Sequence, residues 1–267
     1  MEIVLSVFFF WLGAVFASFA GATAWRMHTG RDFVKERSVC EHCKHQLSAF
    51  DLVPIFSWLF LQGKCRYCKK SIGNLSIATE VLFGLLFLVS YLFWPFGFTD
   101  VLSLVLFALW CLALVLMAIL FVYDARWGLL PDKVMFPLIA LSVIFFVLRM
   151  FVLDVPSAEW VLEAVYSLAP VAGVYGLLHV VSKGAWIGLG DVKLGVAIGL
   201  FVGWQGALVA LVLANLLGFL YVLPMLVRRD AKKDTKVPFG PFLIVATVLS
   251  LLWSAQIIEW YMKLAYI

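Results

Sequence analysis

Long apolar runs alternate with short polar segments along almost the whole chain. Seven runs reach the length of about 20 residues that a membrane-crossing helix needs; they lie at 3–25, 76–94, 101–122, 134–153, 160–182, 207–227 and 240–262. A shorter run at 192–203 carries closely spaced glycines, which indicate tight helix packing. With this run included, the pattern predicts an all-α polytopic membrane protein with about eight transmembrane helices.

Composition supports the membrane assignment. Of the 267 residues, 64% are hydrophobic and 13% are charged, whereas soluble domains are nearer 45–50% apolar and about 25% charged. A soluble enzyme, a disordered chain and a secreted disulfide scaffold are therefore excluded. The runs do not alternate with period two, which disfavours a β-barrel. The first run follows Glu2 without a basic segment and is too long for a signal peptide, so we expect a retained helix.

Basic residues predict the orientation. With the N-terminus outside, eighteen of the twenty lysines and arginines fall in segments that face the cytoplasm, as the positive-inside rule requires; these segments are 26–75, 123–133, 183–193 and 228–239. Arg149 and Lys263 are the two exceptions. Without the short run the last basic segment would move outside, so the rule favours eight helices. The net charge of +4 gives no indication of a nucleic-acid partner, and membrane lipid is the expected surrounding.

The same pattern divides the chain into three parts. Residues 1–25 form the first transmembrane helix, 26–75 a cytoplasmic domain, and 76–267 the remaining transmembrane domain. The middle part is too small to hold much core, so we expect it to need a covalent or metal cross-link.

Two Cys-x-x-Cys pairs supply such a cross-link. Pairs at this spacing are typical of a structural zinc site with four thiolates, here Cys40, Cys43, Cys65 and Cys68. Two disulfides are the alternative, which a cytosolic location disfavours. His42 or His45 could also replace one thiolate.

Two aspartates stand at helix ends on the predicted cytoplasmic side. Asp124 ends the third run, and Asp191 follows Gly188 and Gly190 just before the short run. Because an ionised carboxylate inside hydrocarbon is costly, the presence of these acids requires a structural or functional explanation. Paired carboxyls suit an aspartic protease, in which one is ionised as the base and the other is protonated.

Other interpretations of these acids remain open. A single aspartate at a helix edge is often a cap, and Asp132 after Pro131 fits a helix N-cap. Ion-coupled transporters keep paired acids near glycine breaks. A non-enzymatic scaffold built on the zinc loop is a further possibility.

Taken together, these elements occur in a familiar order. Two cysteine pairs, an aspartate before Leu-Pro-Asp, Gly-x-Gly-Asp-x-Lys and a late Pro-Phe-Gly-Pro-Phe follow one another along the chain. The chain thereby resembles the bacterial type IV prepilin peptidases, a branch of the Gly-x-Gly-Asp intramembrane aspartic proteases. The resemblance extends from about residue 13 to 245.

The resemblance implies a leader peptidase of the bacterial cytoplasmic membrane. Such an enzyme cuts the basic leader of prepilins or pseudopilins at the cytoplasmic face and methylates the new N-terminus with S-adenosylmethionine. It implies that Asp124 and Asp191 are the catalytic pair, framed by Gly188, Gly190 and Lys193. It also implies that the four cysteines are the zinc ligands of the methylating branch, and that residues 237–242 pack near the active site.

Two family elements differ in this chain. The family's Gly-Ser-Phe-Leu-Asn-Val reads Ala17-Ser18-Phe19-Ala20-Gly21-Ala22, and its Tyr-Pro-x-x-Glu keeps only Glu80. Both lie in the region tied to methyl transfer, so the sequence predicts cleavage and leaves methylation open. A soluble-type glycine loop for S-adenosylmethionine is missing from the sequence.

Overall fold

The computed structural model describes residues 2–32, 36–228 and 237–265. Within these ranges the chain is helical and contains no strand, apart from two isolated β-bridges. Seven helical segments of the described chain are long and apolar enough to cross a membrane. The predicted all-α polytopic membrane fold is therefore confirmed. Several of the basic residues that set the predicted orientation lie outside the described residues, namely Lys35, Arg229, Lys232, Lys233 and Lys236.

The helices closely follow the apolar runs. In chain order they are α1 (Glu2–His28), α2 (Phe56–Phe60), α3 (Leu75–Leu92), α4 (Val101–Trp127), α5 (Asp132–Val152), α6 (Trp160–Leu168), α7 (Val174–Val181), α8 (Leu189–Val227) and α9 (Gly240–Ala265). A π-helical turn at Ala169–Gly173 joins α6 to α7, so these two helices act as one membrane span. The 3₁₀ turns at Ala49–Leu52 and Ser157–Glu159 are the remaining described helical elements.

The chain divides into two compact units, and each is described by itself. The first contains Met1–Phe93 and Leu114–Tyr123, and the second contains Trp94–Ala113 and Asp124–Ile267. In the first unit α1 and α3 pack closely because glycines face each other's helix. A Cβ on Gly13 would overlap the Phe83 carbonyl oxygen, and one on Gly84 would lie 2.9 Å from the Phe10 ring. Small residues permit such close approach in membranes.

In the second unit α8 reverses direction at Gly203. Gly176 lies beside Val192, while the neighbouring Tyr175 hydroxyl is 3.2 Å from the Asn215 amide nitrogen. In a straight helix residues 192 and 215 would be about 35 Å apart, so the helix must fold back on itself. Gly203 has φ 77° and ψ 174°, outside helical values. α8 is therefore a helical hairpin with arms at 189–202 and 204–227, and the short predicted run is its first arm.

Arg149 occupies the turn of this hairpin. Its guanidinium donates to the Phe201 carbonyl at 3.2 Å, lies 3.7 Å from a Glu163 carboxylate oxygen and packs against Gly203. A helix that ends within a membrane leaves carbonyls without intrahelical partners. The buried Arg149 guanidinium satisfies one of these carbonyls. This role explains why Arg149 lies outside the predicted cytoplasmic segments, which hold most of the basic residues.

Glycines also set the packing of the first arm of α8. A Cβ on Gly195 would lie 2.9 Å from the Ala172 nitrogen, and one on Gly199 would overlap the Ser167 carbonyl. The tight packing predicted from these glycines is confirmed. The aromatic core of this unit lies beside the same arm, where Phe201 contacts Trp110 and Phe145 at ring distances of 5.5 and 5.2 Å.

Candidate active site and metal centre

Asp124 lies buried in the last turn of α4. Gly128, in the left-handed conformation with φ 65°, ends this helix, and its N–H donates to the Asp124 carbonyl oxygen. The Asp124 carboxylate accepts a 2.8 Å hydrogen bond from the backbone N–H of Gly240, the first residue of α9. A helix N-terminus carries unpaired N–H donors and partial positive charge. The late Pro-Phe-Gly-Pro-Phe element thus packs against this acid, as the sequence predicts.

Two glycines allow this close packing. A Cβ on Gly240 would lie 2.8 Å from the Asp124 carboxylate oxygen, and one on Gly190 would lie 2.9 Å from the Leu130 Cβ. The Leu130 side chain also lies 3.3 Å from the Gly240 Cβ position. Leu130 therefore contacts the backbone at the start of both α8 and α9, and a side chain at either glycine would push these elements apart.

Asp191 is the third residue of α8. Gly188 is the N-cap of the helix, and its carbonyl accepts the Asp191 N–H at 3.2 Å. The Gly188 backbone also lies beside the Asp191 carboxylate, since a Cβ there would be 3.4 Å from a carboxylate oxygen. Leu130 contacts the backbone of Gly240, which donates to Asp124, and the backbone of Gly190, which precedes Asp191. The structure thereby brings near each other two carboxyls that are 67 residues apart in the sequence. Each acid lies beside the backbone at the start of a helix, where N–H donors and partial positive charge favour a carboxylate.

Lys193 pairs with a third acid. Its ammonium lies 2.6 Å from an Asp132 carboxylate oxygen and 5.2 Å from the Phe136 ring centre. The prediction that Asp132 is an N-cap is wrong, because α5 starts at Asp132 itself with Pro131 at the cap position, and no side chain caps it. Asp132 instead joins the start of α5 to the start of α8.

Sequence reasoning missed an aromatic side chain next to the acids. Tyr175 is buried, interacts electrostatically with Asp191 and places its ring 5.8 Å from Phe239. Its hydroxyl oxygen accepts a hydrogen bond from the Asn215 side-chain amide at 3.2 Å. Nothing in the local sequence marks a lone tyrosine in an apolar helix, and only the π-helical turn and the α8 hairpin bring it to this position.

The four predicted zinc ligands form one cluster in the loop of the first unit. One sulfur from each of Cys40, Cys43, Cys65 and Cys68 lies within 4.8 Å of the others, and Cys40 and Cys68 are 3.9 Å apart. A tetrahedral ion with Zn–S bonds of about 2.3 Å places its sulfurs about 3.8 Å apart, whereas a disulfide requires about 2.05 Å. All four cysteines are free, so the donor set fits a tetrathiolate metal and the disulfide alternative is wrong.

Two turns of the same geometry present these sulfurs. Lys44 donates its N–H to the Cys40 carbonyl and Lys69 donates to the Cys65 carbonyl, and both lysines have positive φ, 59° and 58°. The bridges Val39–Gln46 and Lys64–Ser71 close the two turns. Burial alone would raise the pKa of the Cys40 thiol, but backbone N–H groups of Cys43 and His42 and nearby thiols lower it to about 6. The turn thus stabilises a thiolate, the form that binds metal.

The two histidines and Arg66 of this loop contact residues other than the four cysteines. His42 lies 3.2 Å from the Ser71 carbonyl oxygen, and the His45 ring packs on Tyr67 at 3.7 Å. Arg66 pairs with Asp51 at 2.6 Å. Burial alone would raise the pKa of Asp51, but Arg66 and hydrogen bonds from Ser48 hold it below its usual value.

The fold and the two sites define a class: a polytopic membrane protein with paired acids at helix ends and a loop that gathers four thiols. Comparison with known families agrees. Residues 11–94 match the Bacterial Peptidase A24 N-terminal domain, and residues 111–223 match the Type IV leader peptidase family.

Two curated relatives carry the name "Prepilin leader peptidase/N-methyltransferase". The protein from Stutzerimonas stutzeri is 34% identical over 228 residues, covering 85% of this chain and 75% of the relative. The protein from Pseudomonas aeruginosa is 32% identical over 238 residues, covering 88% and 77%. No solved structure gives a significant match. The chain belongs to the type IV leader peptidase family, and it is a peptidase. This membership removes the transporter and scaffold alternatives as descriptions of its class.

The residues retained from the methyl-transfer elements contact other parts of the chain. Glu80 is buried and accepts hydrogen bonds from the Ile55 N–H and from Ser18 and Ser76. Arg26 donates to the Ser38 hydroxyl. These contacts hold the loop to α1 and α3.

Proposed function

We propose that this chain is an aspartic endopeptidase that removes the leader of type IV prepilins or pseudopilins. The observation that carries the proposal is the meeting of Asp124 and Asp191 at the starts of α9 and α8 in a chain of the leader peptidase family. The names of the curated relatives support the substrate class.

The chemistry follows from two acids that share one proton. Because like charges at close range in a low dielectric disfavour double ionisation, one carboxyl is ionised and the other protonated. The ionised carboxyl takes a proton from a water molecule, and the resulting hydroxide attacks the scissile carbonyl carbon. The protonated carboxyl donates a hydrogen bond to the carbonyl oxygen. The C–N bond then breaks, and the nitrogen of the leaving peptide takes a proton from the pair.

Backbone groups at the two helix ends hold the acids in place. Gly240 donates to Asp124, and the Gly188 backbone lies beside the Asp191 carboxylate, so neither carboxyl depends on a mobile side chain for its orientation. Such preorganised donors act where charge changes during the reaction. Lys193 is engaged with Asp132, so its proposed role is to hold the α5 and α8 ends together beside the acids.

We place both acids at the cytoplasmic face of the bacterial inner membrane, with the N-terminus outside. This orientation rests on the distribution of lysine and arginine along the sequence. The α8 hairpin supports it, because the returning arm carries the chain back to the side of Asp191, where the basic segment 228–239 begins. A substrate whose apolar helix lies in the bilayer would then present its basic leader to the cytoplasm.

We also propose that residues 26–75 form a domain around one structural Zn²⁺ held by Cys40, Cys43, Cys65 and Cys68. Two turns that each supply a pair of thiols support this assignment. The bound ion would cross-link turns that share little apolar core.

Cleavage of a prepilin by the purified protein in proteoliposomes tests the assignment. Asp124→Asn and Asp191→Asn should each abolish cleavage while the protein keeps its yield and thermal unfolding profile. Asp154→Asn is the matched control; Asp154 has φ 51° in the turn after α5, a conformation that asparagine tolerates, so cleavage should remain. Efficient cleavage by either of the first two variants would refute the catalytic pair.

The mass of the cleaved product also answers the question of methylation. The curated relatives are named as N-methyltransferases, whereas this chain differs in both elements tied to that activity. An added methyl group on the new N-terminus, dependent on S-adenosylmethionine, would show that the second activity is present.

A further inference from the structure

The segment Leu52–Gly63 has the composition of a membrane element within the loop domain. Its twelve residues carry no charge, and charged Asp51 and Lys64 flank it. It contains α2, and its large apolar side chains point outward. Phe60 is 84% exposed, and Phe50, just before the segment, is 79% exposed.

Contacts place this segment against the middle of the α1–α3 pair. The Phe56 ring stacks on Trp11 of α1 at 5.1 Å, and the Ile55 N–H donates at 2.7 Å to the Glu80 carboxylate of α3. Glu80 also bonds to Ser18 of α1. Because these partners are on two helices, the position of the segment along α1 is well defined.

The depth of these contacts follows from the helix rise. α1 has no charged residue between Glu2 and Arg26, so residue 14 marks the centre of its apolar stretch. At 1.5 Å per residue, Trp11 and Ser18 lie within about 6 Å of that centre. The hydrocarbon core extends about 15 Å to each side, which places α2 inside the bilayer.

The backbone of the segment suits hydrocarbon. Lipid offers no hydrogen-bond partners, so irregular chain at this depth must satisfy its own polar groups. The Trp58 indole N–H donates to the Gly73 carbonyl at 3.0 Å. Hydrogen-bond partners are also present for the backbone N–H groups of Ile55, Phe56, Ser57, Leu59, Leu61, Gln62 and Gly63.

We infer that Leu52–Gly63 is a re-entrant segment, which enters and leaves the bilayer on one side and contacts lipid acyl chains. Phe50, Phe56 and Phe60 line an apolar groove of about 650 Å³, with Arg66 also on its wall. The groove continues the lipid-facing surface of α1, whose Phe8 and Val15 are also exposed. Acyl chains are therefore its occupant. This inference does not depend on which residues cleave the substrate.

Fluorine NMR of the full chain in vesicles of phosphatidylethanolamine and phosphatidylglycerol tests the inference. Para-fluorophenylalanine replaces Phe60 in one sample. Phe8 on α1 is the lipid-facing control, and Tyr67 in the second cysteine turn is the aqueous control. Each is measured with a lipid carrying a nitroxide near the end of its acyl chain, and then with a water-soluble gadolinium chelate.

The ratio of nitroxide broadening to chelate broadening decides the outcome. For Phe60 it should exceed one and match Phe8, whereas for Tyr67 it should fall below one. A Phe60 ratio like that of Tyr67 would place the segment in water and overturn the inference. Protection of Phe60 from both agents would also overturn it, since a protein partner or a second copy would then cover the groove.

Discussion

The backbone N–H of Gly240 is the closest described partner of the Asp124 carboxylate, and Gly240→Ala tests its importance. The new methyl group would lie 2.8 Å from the carboxylate oxygen. The carboxyl must then retreat by about 0.5 Å, and the N–H···O distance would exceed the usual limit of about 3.2 Å. A hydrogen bond to a charged group contributes about 1.5–3 kcal/mol, which corresponds to a loss of roughly 10- to 150-fold in kcat.

The assay is steady-state cleavage of a prepilin in proteoliposomes, with kcat and KM determined separately. We expect kcat to fall and KM to change little, because Gly240 orients an acid and does not hold the substrate. Gly21→Ala is the control, since a methyl group there meets nothing within 4 Å and should leave cleavage unchanged. If Gly240→Ala cleaved at the normal rate with intact folding, this hydrogen bond would not orient the reacting carboxyl.

Three further predictions concern residues around the two sites. Tyr175→Phe removes the hydrogen bond to Asn215, worth about 1 kcal/mol, and should lower kcat about fivefold in the same assay. Metal analysis should find one zinc ion per chain, and Cys43→Ser should lower zinc content together with the thermal stability of the loop. The pKa of Asp51 is lower in the folded than in the unfolded chain. The stability that Asp51 contributes is therefore complete above about pH 4 and is lost as the pH falls through the pKa of the folded chain. Unfolding of the loop followed against pH, with Asp51→Asn for comparison, measures this loss.

Each of these predictions has a clear contrary result. An unchanged kcat for Tyr175→Phe would mean that the tyrosine only fills space. A metal-free chain with four titratable thiols would remove the zinc assignment. Equal acid sensitivity of the native chain and Asp51→Asn would show that the ion pair with Arg66 does not stabilise the folded loop.

Much of the fold follows from the apolar runs, because a bilayer imposes a minimum helix length and leaves few alternatives. The positive-inside count also retained the run 192–203, although its length is below a full span. The structure shows why this run is short: it is one arm of a hairpin whose turn Arg149 caps. A count of residues alone could not reveal this arrangement.

The acids could be selected from the sequence, but their partners could not. The donor to Asp124 is a backbone N–H 116 residues away, and a backbone group has no sequence signature. Asp132 fitted a local cap, and its actual partner Lys193 is 61 residues distant. Twelve uncharged residues are too few to predict a span, so the sequence places Leu52–Gly63 within the cytoplasmic segment 26–75.

The reversal at Gly203 makes the first arm of α8 a spacer of defined length. Asp191 stands near one end, while the other end is fixed by the Arg149 guanidinium. Inserting one residue between 192 and 202 would rotate Asp191 by about 100° and shift it by about 1.5 Å relative to that anchor. The number of residues in the arm therefore sets the direction in which the Asp191 carboxyl points. Changes in the length of the arm should be tolerated far less well than exchanges of one apolar side chain for another.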